Sequence, residues 1–249
     1  MCADQETSQP LGCLHRRRFL KASGAITAMA LVGAGALSSI AYADALTKAQ
    51  RDKLSPDDVL ALMKKGNKRF YTGKHEDNNF LAQQRATAKG QYPAAVLLTC
   101  IDSRAPAETI LDLRIGDVFN SRVAGNVENS DILGSMEFAC KLAGAKVVLV
   151  MGHTACGAIK GAIDNAELGN LTGLLEKIKP AVTATEYTGE RTSKNYAFVD
   201  AVARKNVEIT IANIRKDSPV LAAMESSGAI KIAGSMYNLE TGVVDFFAR

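Results

Sequence analysis

Two short stretches carry the groups best suited to chemistry: Cys100-Ile101-Asp102-Ser103-Arg104 and His153-Thr154-Ala155-Cys156. Together they supply two thiolates, an imidazole and a carboxylate, a set that zinc takes in tetrahedral geometry. A zinc site with three protein ligands and one exchangeable position is the catalytic kind, so a hydrolase or lyase is expected. Structural zinc sites instead use four Cys or His ligands in close pairs. Here only His153-x-x-Cys156 has pair spacing, and Cys100 has no thiol nearby in sequence. Cys100, His153 and Cys156 are thus the strong ligand candidates, with Asp102 or water for the fourth place. Asp102 and Arg104, two residues apart, are close enough for a bidentate ion pair.

The elements that position these stretches follow from the hydrophobic pattern. Each stretch comes directly after an apolar run, 94–99 and 146–151, of the kind expected for a strand covered on both faces. Further strands are expected over 118–123, 230–237 and 243–247, the last two joined by a turn at Glu240-Thr241-Gly242. Helices are expected from Pro56 to about Tyr71 with Ser55 as cap, and from Asn129 or Ser130 to Gly144. Others are expected from near Cys156 past Ile163, over 167–179 up to Pro180, and over 196–216. Strands alternating with helices predict an α/β fold, a mainly parallel sheet flanked by helices with an antiparallel C-terminal edge strand. Sites in such sheets form beyond the carboxyl ends of the strands, where both stretches lie.

The first 43 residues have another character. Arg16, Arg17 and Arg18 precede an uncharged Ala/Gly-rich run over 22–41, and Ala41-Tyr42-Ala43 offers a cleavage site. This pattern matches a twin-arginine export signal, although His15 stands where Ser or Thr is usual. Removal of residues 1–43 leaves 206 of the 249, one domain over 44–249, exported folded to the periplasm. The alternative is a retained membrane anchor, since 20 apolar residues span a bilayer. The segment holds Arg16, Arg17, Arg18 and Lys21 against Asp4 and Glu6, so its removal lowers the net charge from +4 to +2. That balance excludes a nucleic-acid binder. Cys2 and Cys13 leave with the signal, and Cys140 is expected to be a buried inert thiol.

The motifs resemble those of the β-class carbonic anhydrases, Cys-x-Asp-Ser-Arg followed by His-x-x-Cys-Gly, matched here by Cys100 to Arg104 and His153 to Gly157. The likeness extends through Gly116 to Phe119, Arg122 to Asn126, Met136 to Ala139, Ile230 to Gly234 and Tyr237 to Gly242. The resemblance implies one Zn²⁺ per subunit on Cys100, His153 and Cys156, and reversible hydration of carbon dioxide to bicarbonate by zinc-bound hydroxide. Asp102, held by Arg104, would orient that nucleophile, or swing onto zinc as a fourth ligand in a closed state. Gln91, nine positions before Cys100, matches the substrate-binding glutamine of the open, plant-type members, and no tryptophan precedes Cys100 as in closing members. Phe119 and Phe138 match the apolar pocket wall, Phe138 across a subunit interface in place of the tyrosine of plant-type members, and Gly157 offers its N–H to substrate.

Two thiolates offset the charge of the ion, so hydration activity is expected to rise toward alkaline pH. The family further implies a homodimer or homotetramer whose subunits exchange N-terminal helices, with 56–71 as a possible arm. The twin-arginine machinery would be the other partner. Carbon disulfide and carbonyl sulfide are alternative linear substrates for the same ligands. A non-catalytic structural zinc protein is the alternative outside enzymology.

Overall fold

The structure is a computed structural model that describes residues 45–247. The export signal expected over 1–43, including its apolar run, lies outside the described residues. Within them the chain begins with α1 (Lys48–Lys53), α2 (Pro56–Tyr71) and α3 (Phe80–Thr87), followed by β1 (Ala95–Thr99), α4 (Ala107–Ile110) and β2 (Val118–Arg122). Next come α5 (Ser130–Glu137), β3 (Val147–His153), α6 (Gly157–Ile163), α7 (Gly169–Glu176), α8 (Lys179–Ala184) and α9 (Tyr196–Asp217). The chain closes with α10 (Pro219–Ser226), β4 (Lys231–Tyr237) and β5 (Val244–Phe247). The sheet order is β2-β1-β3-β4-β5, parallel except for the antiparallel β4–β5 edge pair. This is the α/β architecture expected from the sequence.

Every residue of β1 and β3 is buried because the sheet is covered on both faces. Successive strand residues face opposite ways. Val96, Leu98, Val148 and Val150 pack with Phe198, Val202 and Ile214 of α9 on one face. Ala95, Leu97, Val147 and Leu149 pack with Val59, Leu60 and Met63 of α2 on the other. β3 runs two residues past the pairing of Thr99 with Met151. Cys100 therefore leaves the sheet beside Gly152 and His153, and the two chemical stretches meet.

Several expected boundaries shift, each for a local reason. The helix expected to run to Gly144 is α-helical only to Glu137, and Phe138–Leu142 is a π-helical turn closed by Gly144 at φ +83. Pro180 does not merely end a helix. It sits in the first turn of α8, where a missing N–H costs nothing. The short helices α1, α3, α4 and α10 lack a long periodic face and were not anticipated from the pattern. Helix α2, the possible exchanged arm, packs within its own chain here. Its buried face lies on the chain's own sheet, and Asn67 fastens it by donating to Ile110 O (3.1 Å) and Gly242 O (2.9 Å) and accepting from Val244 N.

Candidate metal centre

Cys100, His153 and Cys156 are all buried, and one donor atom from each lies within 4.8 Å of the others. The Cys100 and Cys156 sulfurs are 3.9 Å apart. His153 Nδ1 is 2.9 Å from Thr154 O, and a carbonyl only accepts, so Nδ1 carries the proton. Nε2 is then a bare lone pair, and among the described residues this buried atom has no hydrogen-bond partner. An orphaned imidazole nitrogen facing two sulfurs is what a cation site requires.

The charge balance favours a cation as well. A hydrogen bond from Cys156 draws the Cys100 thiol down to about 4 against the opposing effect of burial, with further help from His153 and the Gly125 N–H. Cys156 is driven the other way by the Cys100 thiolate and by burial. The two sulfurs are thus pushed in opposite directions, Cys100 toward the thiolate and Cys156 toward the thiol. Burial opposes charge on His153, but the nearby Cys100 sulfur, the Thr154 carbonyl and the Asp102 carboxylate together outweigh it and raise its pKa.

The loops are held from several directions. Arg122, opposite Thr99 at the end of β2, donates to Cys100 O (2.9 Å) and Asp102 O (2.6 Å). Gly125 N donates to Cys100 Sγ at 3.4 Å, and buried Asn206 of α9 donates to Gly125 O at 2.7 Å. Ala155, between two donors, is in the left-handed region at φ +55, which costs a non-glycine residue about 1–2 kcal/mol. Its N–H donates to Asp200 Oδ1 at 2.8 Å. In the sequence Arg122 and Gly125 are marked only as part of a motif, and nothing marks Asn206 or Asp200. The latter two are polar residues on a helix whose partners are distant in the chain, and no local spacing marks them.

Arg104 grips Asp102 in fork geometry, Nε to Oδ1 at 3.0 Å and Nη2 to Oδ2 at 2.7 Å, and the Arg104 backbone N–H adds 2.9 Å to Oδ1. These hydrogen bonds hold the Asp102 carboxyl well below the usual carboxylate range. Its Oδ2 lies 3.8 Å from His153 Nε2, at the edge of the donor group. Asp102 is not itself one of the three mutually close donors.

The remaining candidates are distributed unevenly. Gly157 opens α6 directly after Cys156, and a β-carbon there would meet no atom within 4 Å, so space lies before its backbone. Phe119 and Phe138 meet edge to face at 5.9 Å, and with Val96, Gly134 and Ser135 they line an open cleft of about 700 Å³. None of the three donors lines that cleft, and Phe138 is 51% exposed. Gln91 precedes the amino end of β1, whereas Cys100 follows its carboxyl end. A five-residue strand separates them by at least ~13 Å, so Gln91 does not reach the donors of its own chain. Cys140 is buried with its thiol pushed up to about 12 by desolvation, as expected of an inert core cysteine.

A Cys₂His donor group beyond the carboxyl ends of two parallel strands, with an arginine-held aspartate at its rim, defines a metalloenzyme of the α/β class. The carbonic anhydrase family model matches residues 95–244, spanning β1 to β4 and both chemical loops. Carbonic anhydrase 2 of Mycobacterium tuberculosis is 33% identical over 186 residues, covering 72% of this chain and 87% of that protein. The β-carbonic anhydrase CafA of Aspergillus fumigatus superposes with a TM-score of 0.57 at 29% identity, covering 66% of this chain and 79% of that one. Tetrameric β-carbonic anhydrases of Sordaria macrospora give a TM-score of 0.56 at 27% identity, covering 64% and 83%. The chain belongs to the β-class carbonic anhydrases and is a carbonate dehydratase. A twin-arginine translocation signal model matches residues 13–33, which marks the protein for export.

Proposed function

We propose that this protein is a zinc-dependent periplasmic carbonic anhydrase that interconverts carbon dioxide and bicarbonate in an open site. The observation that carries the metal assignment is the donor geometry. Two thiolates at 2.3 Å from a tetrahedral zinc stand about 3.8 Å apart, against 3.9 Å between the Cys100 and Cys156 sulfurs. With His153 Nε2 bare beside them, the residues fit the ion. When bound, zinc supplies Lewis acidity that makes water a nucleophile near neutral pH.

The chain's own groups then do the rest. Asp102, oriented by Arg104, accepts a hydrogen bond from the nucleophile and so directs its lone pair at the carbon of carbon dioxide. The Gly157 N–H donates to a substrate oxygen as negative charge develops there. Arg104 engages both carboxylate oxygens of Asp102, which supports a site that stays open. Phe119, Phe138 and Gln91 lie away from the donors of their own chain, so they are assigned to the pocket of a second copy. That assignment makes the enzyme at least a dimer, and the tetrameric Sordaria relatives make a tetramer a natural assembly. The working enzyme is taken to be the single domain 44–249 after loss of residues 1–43.

The test is stopped-flow hydration of carbon dioxide by zinc-loaded 44–249, beside a sulfide-release assay with carbon disulfide. Wild type is expected to hydrate carbon dioxide, and Cys100→Ala to lose both zinc and activity. Zinc-replete protein that released sulfide but left carbon dioxide untouched would reassign the substrate.

A further inference from the structure

The peptide unit between Thr154 and Ala155 is engaged at both ends. Its carbonyl, Thr154 O, accepts from His153 Nδ1 at 2.9 Å, and its N–H, on Ala155, donates to Asp200 Oδ1 at 2.8 Å. The flanks are pinned too. Thr154 N donates to Tyr237 O, and Thr154 Oγ1 accepts from Leu239 N, each at 3.0 Å. Asp200 comes from the first turns of α9, on an element separate from both chemical loops.

Metal-binding histidines usually give their second ring proton to a carboxylate or a carbonyl, which fixes the tautomer and raises the basicity of the ligating nitrogen. Here both acceptors occur in series. The carboxylate pulls on the N–H end of the peptide and so enriches the carbonyl end, because hydrogen bonds in a chain polarise one another. A peptide in a left-handed turn, as at Ala155, would also flip more readily without an anchor on its N–H. A flip would turn Thr154 O away from His153 and free the ring to exchange tautomers.

We propose that Asp200 is a positioning residue for His153, orienting and polarising the Thr154–Ala155 peptide so that Nε2 stays the bare, basic nitrogen. This rests on the zinc reading for its consequence, metal affinity, but the relay itself is visible without metal. Two readouts test it: the His153 ring signals in ¹⁵N spectra of metal-free protein, and the zinc dissociation constant by competition with a chromophoric chelator.

Asp200→Ala is expected to lose the single Nδ1–H tautomer and to weaken zinc binding by about 10–100-fold. Asp200→Asn keeps an acceptor but not the charge, and is expected to retain the tautomer with binding weaker by about three- to tenfold. Adding Ala155→Gly to Asp200→Ala removes the left-handed strain and is expected to restore neither. Restoration by that glycine would overturn the proposal, since Asp200 would then merely compensate strain. Wild-type behaviour of Asp200→Asn in the zinc assay would also overturn it, even if Asp200→Ala failed to fold. Wild-type protein that keeps the tautomer yet takes up no zinc would instead refute the metal assignment and leave the relay standing.

Discussion

Gly125→Ala probes how tightly the turn behind Cys100 is fitted. Gly125 has φ +70, and a β-carbon built on it would stand 2.5 Å from Ile178 Cδ1. Ile178 is fully buried, so its methyl has no empty space to enter. The left-handed conformation costs alanine about 1–2 kcal/mol, and overpacking a filled core costs about 1–3 kcal/mol. The sum, roughly 2–5 kcal/mol, lowers the melting temperature of a domain this size by roughly 5–15 °C. Urea unfolding of the loaded protein at fixed zinc measures it, because free metal concentration itself shifts stability. Ile178→Val alone costs about 0.5–1.5 kcal/mol but removes the clashing methyl. The double variant should therefore be more stable than the sum of the singles by about 1–2 kcal/mol, within the usual range for neighbours in contact. Because Gly125 N donates to Cys100 Sγ, zinc binding should weaken alongside. A Gly125→Ala protein within about 0.5 kcal/mol of wild type, the range of a featureless surface change, would refute the turn geometry. Strict additivity with Ile178→Val would refute the contact.

Hydration activity should rise toward alkaline pH, and a profile flat from about pH 6 to 9 would contradict the two-thiolate ligand set. Asp102 does not set that rise. Its carboxyl is held low chiefly by the hydrogen bond from Arg104, so the stabilisation is present above the unfolded carboxylate value near 3.9 and lost only as pH falls through the lower folded one. Asp102→Asn should therefore lower the plateau of kcat/KM by about 10²-fold without moving its midpoint, and a shifted midpoint would make Asp102 the titrating group. Cys140, its thiol pushed up to about 12 by burial, should resist an aromatic disulfide reagent at pH 8 until urea unfolds the chain. Peptide mapping that found Cys140 modified in native protein within minutes would show the core there to be open.

The central strands were legible because burial on both faces leaves uninterrupted apolar runs, as in residues 95–98 and 147–151. Helix α2 was legible from Ser55 and Pro56, which cap and start it as local chemistry predicts. The short helices were not, since four to eight residues carry too little periodicity. The π-helical turn at Phe138–Leu142 was equally hidden, because no pattern in the run itself marks it; the chain beyond it meets Arg51, distant in sequence, at Ala143 and Gly144. Which sheet α2 covers was not legible for a related reason. An apolar face states that something must cover it, not whose sheet that will be.

The sequence by itself determined the fold class, the three donor residues and the aspartate–arginine pair, since each rests on residue type and on spacing within one local element. Only the tertiary structure decided how those donors are held: the 3.9 Å between sulfurs, the proton on His153 Nδ1, and the supports from Arg122, Asn206 and Asp200. It also placed Gln91 beyond the opposite end of β1 from Cys100. Such contacts join residues far apart along the chain, and long-range partners are set by how the layers pack, which no local run of amino acids encodes.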